Sequence, residues 1–164
     1  MTRVTRRQVL LATAVLAGPA LAAPAMPERP LTRQTLAQVR AAHEGRPLIV
    51  HLWGMTCGPC LTELPRWGQF RRRHPEAALV LVQADQAPPR ARQQTLAGAG
   101  LAQVESWYAT AEPDEFLRAS IDPAWQGEMP MTLLIAPGGR TKLIRGAADL
   151  ALVERWLAAG GAGD

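Results

Sequence analysis

Cys57-Gly58-Pro59-Cys60 holds the only two cysteines of the 164-residue chain. The pair follows an apolar run, "LIVHLW", that ends at Trp53 and is interrupted by His51. Thiols at this spacing support three readings: a redox dithiol, half of a metal site, or a buried pair of small hydrophobes. A zinc site takes four ligands, and no second cysteine pair exists to complete one. A structural bridge gains most by joining distant segments, and this spacing closes too short a loop. The redox reading has a direct physical basis. The thiolate is the reactive form, and a helix N-terminus favours negative charge. Cys57 is then expected at or just before a first helical residue, partly exposed, as the nucleophile that attacks a substrate disulfide. Cys60, one turn later and more buried, attacks Cys57 in turn and releases reduced substrate.

The elements that must position this pair are legible around it. Residues 46–53 read as a short buried central strand. A helix follows over 57–73, with Pro59 in the first turn, where a missing N–H costs nothing, and Pro65 inside it as a source of a kink. Residues 31–43 carry helical periodicity, with Thr32 as a possible cap. Residues 77–85 form a second apolar strand, 88–100 a helix with a glycine stop, 101–109 a third strand, and 112–121 a short helix. Residues 129–146 read as strand, Pro-Gly-Gly turn, strand, and residues 149–159 as a closing helix capped by Asp149. The order α-β-α-β-α-β-α-β-β-α predicts an α/β fold, a mixed sheet with helices on both faces. No internal repeat is present.

Composition bounds the setting. The chain is 48% hydrophobic, which is globular and not disordered, and its length gives one domain. The first 25 residues have a basic start (Arg3, Arg6, Arg7), an apolar run and small residues, the layout of a secretory signal. Cleavage is expected after Ala22 or Ala25, leaving residues 26–164 as a single domain. The run from Val9 to Ala17 is too short to span a bilayer. No stable membrane insertion is therefore expected after cleavage, although a signal-anchored form stays open. Arg6-Arg7 also fits a twin-arginine signal. Removing the signal takes three of the 18 basic residues and leaves 15 against 14 acidic. The basic balance thus belongs to export, and nucleic acid is not an expected partner. An exported protein works in an oxidising compartment, which favours a chemical role for the dithiol.

Trp53, Cys57-Gly58-Pro59-Cys60 and a later Met129-Pro130 before "MTLLI" resemble the thioredoxin fold, a three-layer arrangement with a central mixed sheet flanked by helices. More narrowly, "CGPCLTELP" resembles the TlpA/ResA-like family of exported thiol–disulfide oxidoreductases, with C-x-x-C-x-x-E-x-P after the strand. The resemblance covers roughly residues 31–159. It implies a periplasmic or membrane-anchored reductant that acts on protein disulfides, is recharged by a membrane electron donor, and uses no cofactor or resident metal. It implies that Pro130 is a cis-proline beside the dithiol, which would leave the backbone around Met129 free to pair with a substrate strand. It implies that Glu63 is an acid near the dithiol, against the plainer reading of a solvated helix glutamate. Trp53, Thr56, Gly58 and Pro59 complete the implied substrate surface.

Three departures stand out. Thr56 replaces the tryptophan that precedes the first cysteine in thioredoxins. Gly54 and Met55 replace a more common Ala-Thr or Ala-Glu pair. His51 stands where thioredoxins place a buried aspartate beneath the dithiol. An imidazole there would take part in proton transfer to and from Cys60 and, if protonated, would stabilise its thiolate. The alternative is a neutral core histidine bonded to a backbone carbonyl. Met55, Met129 and Met131 are expected around the cysteines, as a soft groove for partner proteins or, in a rival reading, as Cu(I) ligands. A disulfide oxidant or isomerase is the second rival.

Overall fold

The computed structural model describes residues 28–162. The expected signal segment and its cleavage sites lie outside the described residues. Among the described residues no helix is long and apolar enough to cross a membrane.

The strands are β1 (Glu28–Pro30), β2 (Leu48–Trp53), β3 (Ala78–Gln83), β4 (Glu105–Tyr108), β5 (Met131–Ile135) and β6 (Thr141–Arg145). They form one sheet in the order β1-β4-β3-β2-β5-β6. The first four in that order are mutually parallel, whereas β5 runs antiparallel to β2 and β6 antiparallel to β5. The helices are α1 (Thr35–Ala42), α2 (Gly58–Arg73), α3 (Pro89–Gly98), α4 (Glu115–Ile121) and α5 (Leu150–Ala158). The predicted mixed sheet with helices on both faces is the observed architecture.

Strand alternation divides the interior into two layers. On β2, Ile49 and Trp53 join α2, α3 and α5 in one core cluster, with Leu64, Trp67, Phe70, Leu96, Val153 and Trp156. Leu48, Val50 and Leu52 face the other way, into a second cluster with Leu36 and Val39 of α1 and Ile121 of α4. Strands buried on both faces read as continuous apolar runs, which is why β2 and β3 are plain in the sequence. α2 lies so close to the turn after α3 that a Cβ on Gly68 would stand 1.8 Å from the Ala99 carbonyl oxygen. Only glycine fits that crossing. The helix continues through Pro65 without interruption.

Several boundaries differ from expectation, and the helix expected over 112–121 begins only at Glu115, after its cap Asp114. The first helix starts at Thr35 with Gln34 at the cap position, not at Thr32. The Thr32 hydroxyl instead accepts from the Gln34 N–H at 3.3 Å, in a local turn that precedes the helix. The strand expected over 101–109 is confined to β4, because Leu101–Val104 is a turn closed by the Val104 N–H on the Leu101 carbonyl at 3.0 Å. The extended lead-in around Pro30 contains β1, which pairs with β4 at the sheet edge, where proline is tolerated.

Candidate active site

β2 and β3 end side by side, and the chain leaves β2 through Gly54-Met55-Thr56 into α2. Cys57 occupies the N-cap position of α2, and its Sγ accepts from the Cys60 N–H at 3.2 Å. Cys57 and Cys60 are joined as a disulfide. Cys57 is half-buried while Cys60 is wholly buried in the α2-side core. The pair thus offers one sulfur to solvent and hides the other, with the positive end of the α2 dipole at the exposed one.

The rim around Cys57 consists of exposed Thr56, Gly58 and Pro59 and partly buried Met55 and Met129. The Met129–Pro130 peptide bond is cis, and Pro130 is buried. Leu61, one helical turn after Cys57, is 38% exposed and adds apolar surface to the same face. Trp53, expected to contact substrate, is wholly buried in the α2-side core cluster that also holds Cys60. Met131, expected around the cysteines, points to the opposite layer, because it alternates with Thr132 along β5. Its sulfur lies 4.0 Å from Arg145 Nη1.

His51 is 0% exposed and shares the α2 face of the sheet with Trp53. The antiparallel register puts it directly opposite Thr132, and its Nδ1 pairs with the Thr132 hydroxyl at 3.0 Å. The partner is therefore a side-chain hydroxyl and not the backbone carbonyl expected for a plain core histidine. The ring packs on Trp67 at 4.8 Å between centroids, and Nε2 has no hydrogen-bond partner. Burial lowers its pKa to about 3. The imidazole is thus neutral near neutral pH beside the closed disulfide, and it lends Cys60 no positive charge there.

Glu63 is 2% exposed, not solvated. Its Oε1 accepts from the Trp67 indole N–H at 3.0 Å and from the Ala148 backbone N–H at 2.8 Å. The first contact is an i, i+4 pair within α2, and the second ties α2 to the segment that opens α5. Oε2 has no partner. Burial pushes the Glu63 carboxyl up, against the opposing pull of the Ala148 and Trp67 hydrogen bonds. His51, Trp67 and Glu63 therefore form a buried polar line on the side of the sheet that carries Cys60.

Asp85 is the site residue that sequence reading missed. It follows β3 by two positions and is 5% exposed. Its Oδ1 accepts from the Met55 N–H at 2.9 Å and its Oδ2 from the Thr56 N–H at 2.7 Å. The Thr56 hydroxyl donates to Oδ2 at 2.8 Å, and the Gln83 amide donates to Oδ1 at 2.9 Å. Burial pushes the carboxyl up, but the donors on Gln83, Thr56 and Met55 outweigh it and hold Asp85 below the usual carboxylate range. The available signal was an acid closing an apolar strand at the carboxyl edge of the sheet, beside the dithiol strand.

No family model and no curated protein matches the chain. Solved structures do. A secreted Mycobacterium tuberculosis disulfide oxidoreductase described as homologous to E. coli DsbE superposes with a TM-score of 0.57 at 20% identity, over 73% of this chain and 85% of that one. A thiol:disulfide interchange protein of the thioredoxin family from Chlorobium tepidum gives 0.58 at 17% identity, over 74% and 83%. StoA from Bacillus subtilis gives 0.53 at 20% identity, over 69% and 83%. At such identities the likeness speaks for the fold: this chain has a thioredoxin-like fold, with its cysteine pair at the junction of β2 and α2.

Proposed function

We propose that the protein is an exported thiol–disulfide oxidoreductase of TlpA/ResA-like type that reduces disulfides in protein substrates. The observation that carries this reading is the asymmetry of the pair, with Cys57 half-buried at the N-cap of α2 and Cys60 wholly buried one turn later. In the reduced protein the Cys57 thiolate attacks one sulfur of a substrate disulfide. That S–S bond breaks, a Cys57–substrate mixed disulfide forms, and the leaving substrate thiolate takes a proton from solvent. Cys60 then loses its proton and attacks the Cys57 sulfur. The mixed disulfide breaks, the second substrate thiol leaves, and the Cys57–Cys60 disulfide remains with two electrons delivered.

His51 serves as the proton acceptor for Cys60 in this reading, supported by its unpartnered Nε2 and by its ring packing on Trp67, which belongs to the same core cluster as Cys60. Because burial keeps the ring neutral beside the disulfide, it is free to take the Cys60 proton as that thiol attacks, as a weak base and not as a standing positive charge. Glu63 tunes the pair from the same layer. Thr56, Gly58, Pro59 and Met129 form the surface that a substrate strand meets.

The oxidised protein needs a dithiol donor to act again. In an oxidising compartment a membrane electron donor fits that need, and the Mycobacterium tuberculosis neighbour, described as secreted, fits an exported, periplasmic setting. The deciding experiment combines the dithiol's reduction potential with turnover of a disulfide-bonded protein such as insulin. A reductant gives a potential near the thioredoxin value of about −270 mV. A value near about −120 mV would assign the protein to disulfide formation instead.

A further inference from the structure

The dithiol loop is held from outside its own strand and helix. Gly54, Met55 and Thr56 have no place in the sheet ladder, yet two of their backbone N–H groups and one hydroxyl end on a single carboxylate, Asp85. That carboxylate is itself aimed by Gln83, whose amide donates both to Asp85 Oδ1 and to the Asp85 carbonyl at 2.9 Å. Gln83 is buried and in turn receives Arg92 Nη1 at 3.4 Å, and the Arg92 guanidinium lies over the Tyr108 ring at 4.1 Å. The loop is thus anchored through Asp85 to β3 and through Arg92 to α3 and β4.

A third segment meets the same point. A Cβ on Gly54 would stand 2.8 Å from Asp85 Oδ2 and 2.9 Å from Met129 Cε. Asp85 therefore sits where the dithiol loop, the end of β3 and the Met129–Pro130 rim converge. The methionine tip can swing away from an intruding group. The carboxylate, gripped by four donors, cannot do so without breaking them.

We propose that Asp85 is a positioning residue for disulfide exchange: its carboxylate fixes the Gly54–Thr56 loop so that Cys57 and the Met129 rim present one surface to a protein substrate. The inference rests on the thiol–disulfide exchange reading and adds to it the group that sets substrate geometry. Four donors converge on two oxygens, so an amide of the same shape fails. In Asp85→Asn, one oxygen becomes an NH2 that faces two donors and accepts from neither.

The test compares reduced wild type with Asp85→Asn in second-order reactions with insulin and with oxidised glutathione. Insulin must dock on the loop and rim, whereas the small disulfide need reach only the Cys57 sulfur. Misplacing a docked substrate against the attacking sulfur by about one ångström costs about tenfold to a hundredfold in rate. Asp85→Asn is expected to slow insulin reduction by about that factor while oxidised glutathione reacts as fast as before or faster, since removing a negative charge near Cys57 does not disfavour its thiolate. Gly54→Ala, which presses on the same carboxylate from the loop after β2, is expected to show the same substrate-selective loss, and decides the matter if Asp85→Asn does not fold. Equal losses with both disulfides, or no loss with insulin, would overturn the proposal. A wild type that reduces neither disulfide would instead overturn the exchange reading itself.

Discussion

Asp85 and Glu63 are both buried carboxylates on elements that meet the dithiol, and their surroundings drive them in opposite directions. Asp85 has two donors on each oxygen, and those bonds overcome burial and keep it ionised. Glu63 has two donors on one oxygen and none on the other, and burial wins. The difference follows from location. Asp85 lies where a loop supplies free backbone N–H groups, while Glu63 sits inside a helix whose own N–H groups are spent on the helix ladder. One acid therefore holds backbone in place with a permanent charge. The other joins α2 to the segment before α5 with a carboxyl held towards its neutral form.

Substitutions that treat the two acids alike should therefore give unlike results. The largest effect on stability is expected for Glu63→Ala. It strands the Ala148 N–H and the Trp67 indole N–H in the core, at about 1–3 kcal/mol for each unsatisfied donor. Denaturant unfolding should show a loss of about 3 kcal/mol, against about 1 kcal/mol for Asp85→Ala, whose loop N–H groups can turn to water. Equal losses would break the comparison.

The next largest effect is a pH dependence from His51. Its folded-state pKa of about 3 lies below the ordinary histidine value of 6.5, so the unfolded chain binds the proton more readily. Its contribution to stability is present above pH 6.5 and is lost as pH falls towards 3. Between pH 7 and pH 4 this one group should cost about 3 kcal/mol. The loss is measured as the difference between wild type and His51→Gln, and parallel pH curves for the two proteins would show that burial does not hold the ring neutral.

Glu63→Gln should change stability by less than about 1 kcal/mol at low pH, since the amide oxygen keeps both donors. The folded-state pKa of Glu63 is raised, so ionisation penalises the folded wild type as pH climbs above 4.5. The variant should gain on wild type in that direction. A gain towards acid pH would contradict the assigned shift. The smallest effect is expected for Thr56→Val, which removes one of four donors to Asp85 and leaves the other three, at about 0.5–1 kcal/mol.

Much of this was legible in the residues themselves. The apolar runs of β2 and β3 are buried on both faces, and α5 is capped by Asp149, whose side chain accepts from the Ala151 N–H at 3.0 Å, where the cap was read. Cys57 stands at the helix cap because strand, glycine turn and early proline leave it no other place. The three-residue β1 was not legible, since a segment that short carries no period and its pairing depends on where β4 lies. Asp85 escaped for a related reason. Its role comes from the parallel β2–β3 register, which sets Trp53 beside Gln83 and so brings residue 85 to the loop after β2. Nothing in the local sequence states that adjacency. Glu63 was half legible: the i, i+4 indole of Trp67 is visible in the chain, but the Ala148 N–H arrives from 85 residues away. His51 was recognised by its oddity, while its neutrality follows only from the depth at which it lies.

The central claim is that Cys57 attacks and Cys60 resolves. Its most direct test is trapping with a disulfide-bonded protein substrate. Cys60→Ser leaves the nucleophile without its resolving partner, so a mixed disulfide on Cys57 should accumulate and be identified by peptide mapping under non-reducing conditions. Cys57→Ser should trap none, because Cys60 is wholly buried. A mixed disulfide on Cys60 in the second variant, or no adduct in the first, would contradict the account.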